Sequence, residues 1–313
     1  MNPYLNPQRV RAALRSLELR PTRGMGQNFL TDGGVLRQIV EAAELSATDT
    51  IVEVGPGLGV LTWELLQHTP QVAAVELDRR LAARLPEAFP TTTPNAPHPA
   101  LHIIQSDILR VPAGDIVRQA RAAWGQATTP PATDAALRHT YKVVANLPYA
   151  ITAPVLQHFL ESVAAPRQMI VLVQWEVAQR ITAQPGDMSL RAYSVQMYAH
   201  PTIVARVPAA SFLPPPDVDS AILRLDVYDR PAVDVDSIAG LFRVIRAGFL
   251  QPRKKISNGL PKGLTAQGLT VPAAAARTAL HQAGVNGDRR PETLALEEWA
   301  AVYRALQEAQ AFA

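Results

Sequence analysis

Cysteine is absent from all 313 residues, which excludes disulfides and thiolate metal sites and leaves the redox compartment unreadable from cysteine usage. The seven histidines, at 68, 98, 102, 139, 158, 200 and 281, show no paired spacing, so a metal site has no support. No apolar run approaches the length needed to cross a bilayer. The opening Met-Asn-Pro-Tyr-Leu-Asn-Pro also lacks the apolar stretch of a secretory signal, so the expectation is a cytoplasmic protein with no membrane partner. Acidic charge is scarce in two regions. Residues 1–23 hold five arginines against Glu18 alone, a bias that transit peptides share with basic arms and solvated helix faces. Residues 243–290 hold nine cations against the single acid Asp288. A net charge of +3 and a pI of about 9.3 agree with an anionic partner. With 48% hydrophobic residues, the chain has enough apolar surface for one large domain and a smaller one.

The most informative stretch that is present runs from Ile51 to Gly59, Ile-Val-Glu-Val-Gly-Pro-Gly-Leu-Gly. Four residues of strong β bias enter a glycine loop, and a helical pattern follows from Val60. Without Cβ atoms at Gly55, Gly57 and Gly59 the backbone can turn tightly and bring a ligand near a helix N-terminus, as a nucleotide cradle requires. A second strand ends at Glu76, 21 residues after Gly55, where a carboxylate can hold both hydroxyls of a ribose. Asp78 also qualifies by position, and Glu76 is preferred because it sits at the strand tip. The spacing fits a dinucleotide site as well. The loop, however, reads Gly-x-Gly-x-Gly with Glu53 two residues before it, a variant that looks like the first motif of S-adenosylmethionine-dependent methyltransferases.

Strands and helices alternate through the first 230 residues, which argues for a Rossmann-like α/β fold whose ligands sit beyond the carboxyl ends of parallel strands. A strand over 101–105 carries Asp107 to the same sheet edge as Glu76. Residues 112–140 yield one short helix and no further topology. From about Pro231 the pattern is helical, so two domains are expected: 1–230, a methyltransferase domain with a basic N-terminal arm, and 231–313, a small all-α domain.

A fourth strand, 141–145, ends in Asn146-Leu147-Pro148-Tyr149. An ordinary turn could use these residues, but they also place an amide oxygen, a backbone carbonyl and a flat ring around one point. Asn146 and the Pro148 carbonyl would accept the two N–H bonds of an exocyclic amine, with Tyr149 stacked on the base. Phe212, before the triple proline 214–216, is either core or the second plate of a base sandwich. Arg253, Lys254 and Lys255 stand together with no acid nearby in sequence; such a run is usually a solvated face, but beside a base pocket it reads as a set of phosphate contacts.

In order, Gly26-Gln27-Asn28-Phe29-Leu30, Glu53-Val54-Gly55-Pro56-Gly57, Glu76-Leu77-Asp78, Asp107, Asn146-Leu147-Pro148-Tyr149, Phe212 to Ser220 and Gln251 to Asn258 resemble the ribosomal RNA adenine N6,N6-dimethyltransferase family. The resemblance implies S-adenosylmethionine as methyl donor and adenosine in RNA as acceptor. Carried over by motif, Gln27, Asn28 and Leu30 border the cofactor, Gly55 and Gly57 face its methionine side, Glu76 its ribose and Asp107 its adenine. Asn146 stands between cofactor and target, with Tyr149 and Phe212 on the target base. Val218-Asp219-Ser220 and the long C-terminal region look like the small-subunit branch, whose substrates are two adjacent adenosines near the 3′ end of 16S-type rRNA in the small ribosomal subunit or its precursor. A monomer is expected. Ala150, Trp175, Pro252 and Ser257 depart from the common pattern, Trp175 standing where a basic residue is usual. Two other classes fit parts of the pattern: a non-catalytic RNA- or DNA-binding assembly or transcription factor on the same fold, and an NAD-dependent oxidoreductase.

Overall fold

A computed structural model describes residues 2–19, 28–89, 101–269 and 271–309. In chain order these form α1 (Pro7–Ser16), β1 (Phe29–Leu30), α2 (Gly33–Ala43), β2 (Ile51–Val54), α3 (Val60–His68), β3 (Val72–Glu76), α4 (Arg79–Ala88) and β4 (Leu101–Gln105). Next come α5 (Ala113–Ala123), α6 (Asp134–Leu137), β5 (Lys142–Asn146), α7 (Thr152–Leu160), β6 (Gln168–Gln174), α8 (Trp175–Ile181) and α9 (Leu190–Gln196). The remainder is β7 (Ala199–Val207), β8 (Phe212–Leu213), β9 (Ser220–Val227), α10 (Ile238–Phe249), α11 (Ile256–Ala266), α12 (Ala273–Gln282) and α13 (Leu296–Glu308). Among the described residues no helix is long and apolar enough to cross a membrane.

The larger of two compact units comprises Met1–Ala178 and His200–Val227. Its seven-stranded sheet runs β4-β3-β2-β5-β6-β9-β7. The first five strands are parallel and β9 lies antiparallel to β6. Every residue of β2 and β3 is buried, as a parallel sheet covered on both faces requires. Val35, Leu36 and Ile39 of α2 and Leu61 and Leu65 of α3 close one core over β2, β5 and β6. Strand order reverses between β2 and β5, so the crevice beyond their carboxyl ends is the switch point at which such sheets bind ligands.

Two local features orient the helices. Asp32 caps α2, its Oδ1 accepting from the amides of Gly34 and Val35 at 2.8 and 3.3 Å. At the other end of that helix the buried Lys142 ammonium donates to the carbonyls of Ala43 (2.6 Å) and Glu44 (2.8 Å) and pairs with Asp49 at 3.0 Å. Burial pushes the Lys142 pKa down, and the Asp49 carboxylate opposes that shift. A cation so deep persists only because every side of it is paired.

A second, two-stranded ladder pairs β1 with β8, Leu30 opposite Phe212. Beside it the Thr31 amide donates to the Ser211 carbonyl at 2.9 Å, and the Ser211 hydroxyl donates to Asp32 Oδ2 at 2.9 Å. Nothing in the local sequence signals this pairing, because each strand is only two residues long. The 112–140 region also holds more than the one short helix expected. α5 spans 11 residues and buries Ile116, Val117 and Ala120, with α6 after it.

The second unit comprises Gln179–Ala199 and Tyr228–Ala313, so it takes in an earlier segment that the expected 231–313 domain left out. Met188, Ala192, Tyr193 and Met197 of the earlier segment share one core with α10 to α13. Tyr193 is fully buried; its hydroxyl donates to the Leu294 carbonyl at 2.6 Å and accepts from the Trp299 indole at 3.0 Å. α10 and α11 approach so closely that a Cβ on Gly263 would lie 1.8 Å from the Ala247 carbonyl oxygen. Gly263→Ala is therefore expected to destabilise this unit by roughly 2–3 kcal/mol, because backbone rather than a side-chain tip must move. Denaturant unfolding of the variant checks this, and an unchanged midpoint would show that the helices separate freely.

Candidate active site

A cavity of about 570 Å³ opens beyond the carboxyl ends of β2, β3 and β5. That volume falls within the roughly 300–1,000 Å³ of small-molecule sites. Its wall brings together Asn28, Leu30, Gly55, Gly57, Glu76, Asp107, Asn146 and Pro148 from the expected set. Gln27 lies outside the described residues. Tyr149 and Phe212 do not line the cavity.

The glycine loop works here in a way that spacing alone did not indicate. Gly57 has φ +59°, where a side chain would be strained, and a Cβ would approach the Phe29 ring to 3.2 Å. Its amide donates to Glu76 Oε2 at 3.0 Å, while the Asp78 amide donates to Oε1 at 2.9 Å. One loop amide thus fixes the strand-tip carboxylate, and each oxygen keeps acceptor capacity for a ligand hydroxyl. Asp78 is instead the cap of α4, accepting from Arg80 and Leu81, which separates the two acids that position alone left open.

Burial raises the pKa of Glu76, against the lowering effect of the backbone amides of Asp78, Gly57 and Leu77. Glu53, to which the sequence attached no role, is more strongly affected. It lines the same cavity, is 1% exposed, and accepts from the Thr62 hydroxyl at 2.7 Å. Desolvation pushes its pKa up to about 8, with the Glu76 charge adding to the effect. At neutral pH the cavity therefore contains a protonated carboxyl beside a second buried one. Asp107 caps the turn after β4, its Oδ1 accepting from the Leu109 amide at 3.0 Å. Leu77 lines the cavity and is 67% exposed, an apolar platform that the sequence did not single out beyond its place between two acids.

Asn146 ends β5 with its Nδ2 donating to the Asn28 carbonyl at 3.0 Å. A carbonyl can only accept, so this bond fixes which end of the amide is which and leaves the oxygen as an acceptor. The Pro148 carbonyl accepts from the Ile151 amide at 3.1 Å and from the Thr152 hydroxyl at 3.4 Å. The second of these is long, and its hydroxyl donor can rotate away.

Two expectations need correction. Phe212 is 3% exposed and packs in the core with Leu30, Val207 and Ile222, because its ladder position opposite Leu30 fixes the ring there; it is core rather than a stacking plate. Lys255 is not free of acids, since Asp288, 33 residues on, pairs with it at 2.9 Å. Arg253 and Lys254 are exposed beside it in the helical unit. Tyr149 is half-buried, and its hydroxyl and the Ser220 hydroxyl lie 2.6 Å apart, which fixes the ring beside Pro148. Ser220 was visible only as the end of the Val218-Asp219-Ser220 motif.

Comparison with known proteins places these features in a family. The Ribosomal RNA adenine dimethylase family matches residues 20–308. The chain is 43% identical to Ribosomal RNA small subunit methyltransferase A of Dehalococcoides mccartyi strain 195, over 90% of this chain and 87% of that protein. It is 39% identical to the protein of the same name in Moorella thermoacetica, over 98% of this chain and all of that one. The crystal structure of a dimethyladenosine transferase from Plasmodium falciparum superposes with a TM-score of 0.71 at 20% identity, covering 90% of this chain and 98% of that one, a likeness of fold. The glycine loop, Glu53, Glu76, Asn146 and Pro148 line one cavity, and on the match over residues 20–308 the chain belongs to the ribosomal RNA adenine dimethylase family.

Proposed function

We propose that this protein transfers two methyl groups to N6 of each of two adjacent adenosines near the 3′ end of 16S rRNA. It acts as a cytoplasmic monomer on the small ribosomal subunit or its precursor. The observation that carries this reading is the Asn146 amide, held by the Asn28 carbonyl with its oxygen left to accept, in the same cavity wall as Glu76 and Asp107.

S-adenosylmethionine supplies a methyl group on a positively charged sulfur. The residues present suit it: Glu76 offers two fixed carboxylate oxygens to a ribose, Leu77 and Ile108 offer apolar surface, and Gly55 and Gly57 leave room at the mouth of β2. In the first transfer Asn146 Oδ1 and the Pro148 carbonyl would each accept one N–H of the target amine, aligning the nitrogen lone pair for in-line attack as the methyl leaves sulfur and one proton passes to water; in the second transfer only one N–H remains to be held. Accepting from both hydrogens favours the electron-rich nitrogen without a strong base, because these dipoles are already oriented. Tyr149, tied to Ser220, would present its ring to the target base.

The test is transfer of tritiated methyl to undermethylated small subunits, followed by mass spectrometry of the RNA digest. Dimethyladenosine in two adjacent positions is expected; label on protein with none on RNA would overturn the reading. We further assign Arg253 and Lys254 to the RNA backbone, with Lys255 contributing less because Asp288 already neutralises it. Changing the first two to Ala is expected to reduce the salt slope of RNA binding by about 2, and an unchanged slope returns them to solvated surface.

A further inference from the structure

Beyond the target-base site, the carboxyl edge of the sheet carries an aromatic residue that the proposed chemistry does not use. Trp175 directly follows β6, and unlike Trp124 and Trp299, which are 3% and 0% exposed, it is half-buried. The Arg206 guanidinium stacks on the indole, 5.0 Å from its centroid. The Arg206 side chain is 59% exposed and pairs with Asp219, its Nε and Nη2 both 2.9 Å from the same oxygen. That geometry leaves Nη1 without a partner among the described residues. The other Asp219 oxygen accepts from the Ala209 amide at 3.0 Å, and the Asp219 carbonyl accepts from the Trp175 amide at 2.9 Å. The stacked pair is thus anchored on both sides rather than laid loosely on the surface.

Its position relative to the target site follows from the ladder. Asn146 is in register with Leu172, and Gln174 with Ser220, the residue that holds Tyr149. Trp175 therefore lies three residues beyond the level of Asn146, roughly 10 Å along the strand direction. It directly follows Gln174, the register partner of Ser220, and is outside the cavity wall.

We propose that Trp175 and Arg206 form a subsite for the RNA nucleotide adjacent to the target adenosine. The base stacks on the indole and its phosphate meets the free edge of the guanidinium. An indole offers any base a stacking face, and an arginine held over that indole by a carboxylate offers a phosphate a charged edge. The assignment rests on the proposed RNA adenosine target.

The test uses the full chain as wild type, Trp175→Ala and Trp175→Phe. Binding is measured to a protein-free RNA hairpin carrying the target sequence, with and without an abasic residue beside the target adenosine. Methyl transfer to undermethylated small subunits is followed in parallel. Trp175→Ala is expected to weaken hairpin binding and raise KM for subunits by about tenfold, while Trp175→Phe stays within about threefold of wild type. The abasic hairpin should bind wild type as weakly as Trp175→Ala binds the intact one, with no further loss when the two changes are combined. Unchanged S-adenosylhomocysteine affinity and melting temperature in Trp175→Ala confine the effect to RNA. Equal losses on intact and abasic hairpins, unchanged binding, or a loss seen only with whole subunits would overturn the subsite, the last pointing to a protein contact. Wild type that transfers no methyl group to subunits would instead overturn the proposed activity itself.

Discussion

Asn146→Ala is expected to slow methyl transfer by about 100-fold or more at saturating substrates, with S-adenosylhomocysteine affinity and RNA affinity changed by no more than a few fold. The size follows from the role proposed for it: one pre-oriented acceptor at the reacting nitrogen, comparable to losing one donor from an oxyanion hole, typically about 10²–10³ in rate. Asn146→Asp separates orientation from accepting capacity. It keeps an acceptor oxygen but loses the N–H that the Asn28 carbonyl receives, so two acceptors would face each other across the present 3.0 Å bond. We therefore expect Asp to rescue poorly. Single-turnover transfer with tritiated cofactor measures both variants, and activity within a few fold of wild type in Asn146→Ala would remove the residue from the reaction.

The second large effect is on stability and pH. Glu53 carries a pKa of about 8 in the folded protein against an ordinary 4.5. A raised carboxyl pKa means that the folded state holds a proton the unfolded chain releases. The contribution of this group is fully present below about pH 4.5 and is lost as pH rises through about 8. Within that window the protein should lose roughly 1.4 kcal/mol per pH unit relative to Glu53→Gln, which keeps an acceptor for Thr62 but cannot ionise. Denaturant unfolding of the ligand-free protein at pH 5, 6, 7 and 8 measures the difference. Parallel curves for the two proteins would show that Glu53 is ionised throughout.

Where a residue's place in the fold depends on neighbours in sequence, it could be read before the structure. The glycine loop, Glu76 at the strand tip and Asn146 before Leu147-Pro148 each follow from a strand ending where a few following residues dictate the turn. The helical character beyond about Pro231 was also legible, and α10 there carries a hydrophobic stripe behind a Ser237 cap. What escaped depends on distant contacts. Gln179–Ala199 joins the helical unit through side chains that pack on residues a hundred positions later, as Tyr193 does on Trp299. Phe212 left its role open until its partner strand was known. Glu53 marked a motif, but its protonation depends on complete burial, which no local pattern encodes.

The short ladder between β1 and β8 has a consequence for synthesis. Asn28, which orients the Asn146 amide, precedes β1 directly, and β1 is held in place by residues some 180 positions later. A chain growing from its amino terminus can complete the glycine loop early, but it cannot seat Asn28 until Ser211 to Leu213 have left the exit tunnel. Competence for methylation should therefore arrive late in translation, and fragments ending before β8 should lack it even where their sheet has formed.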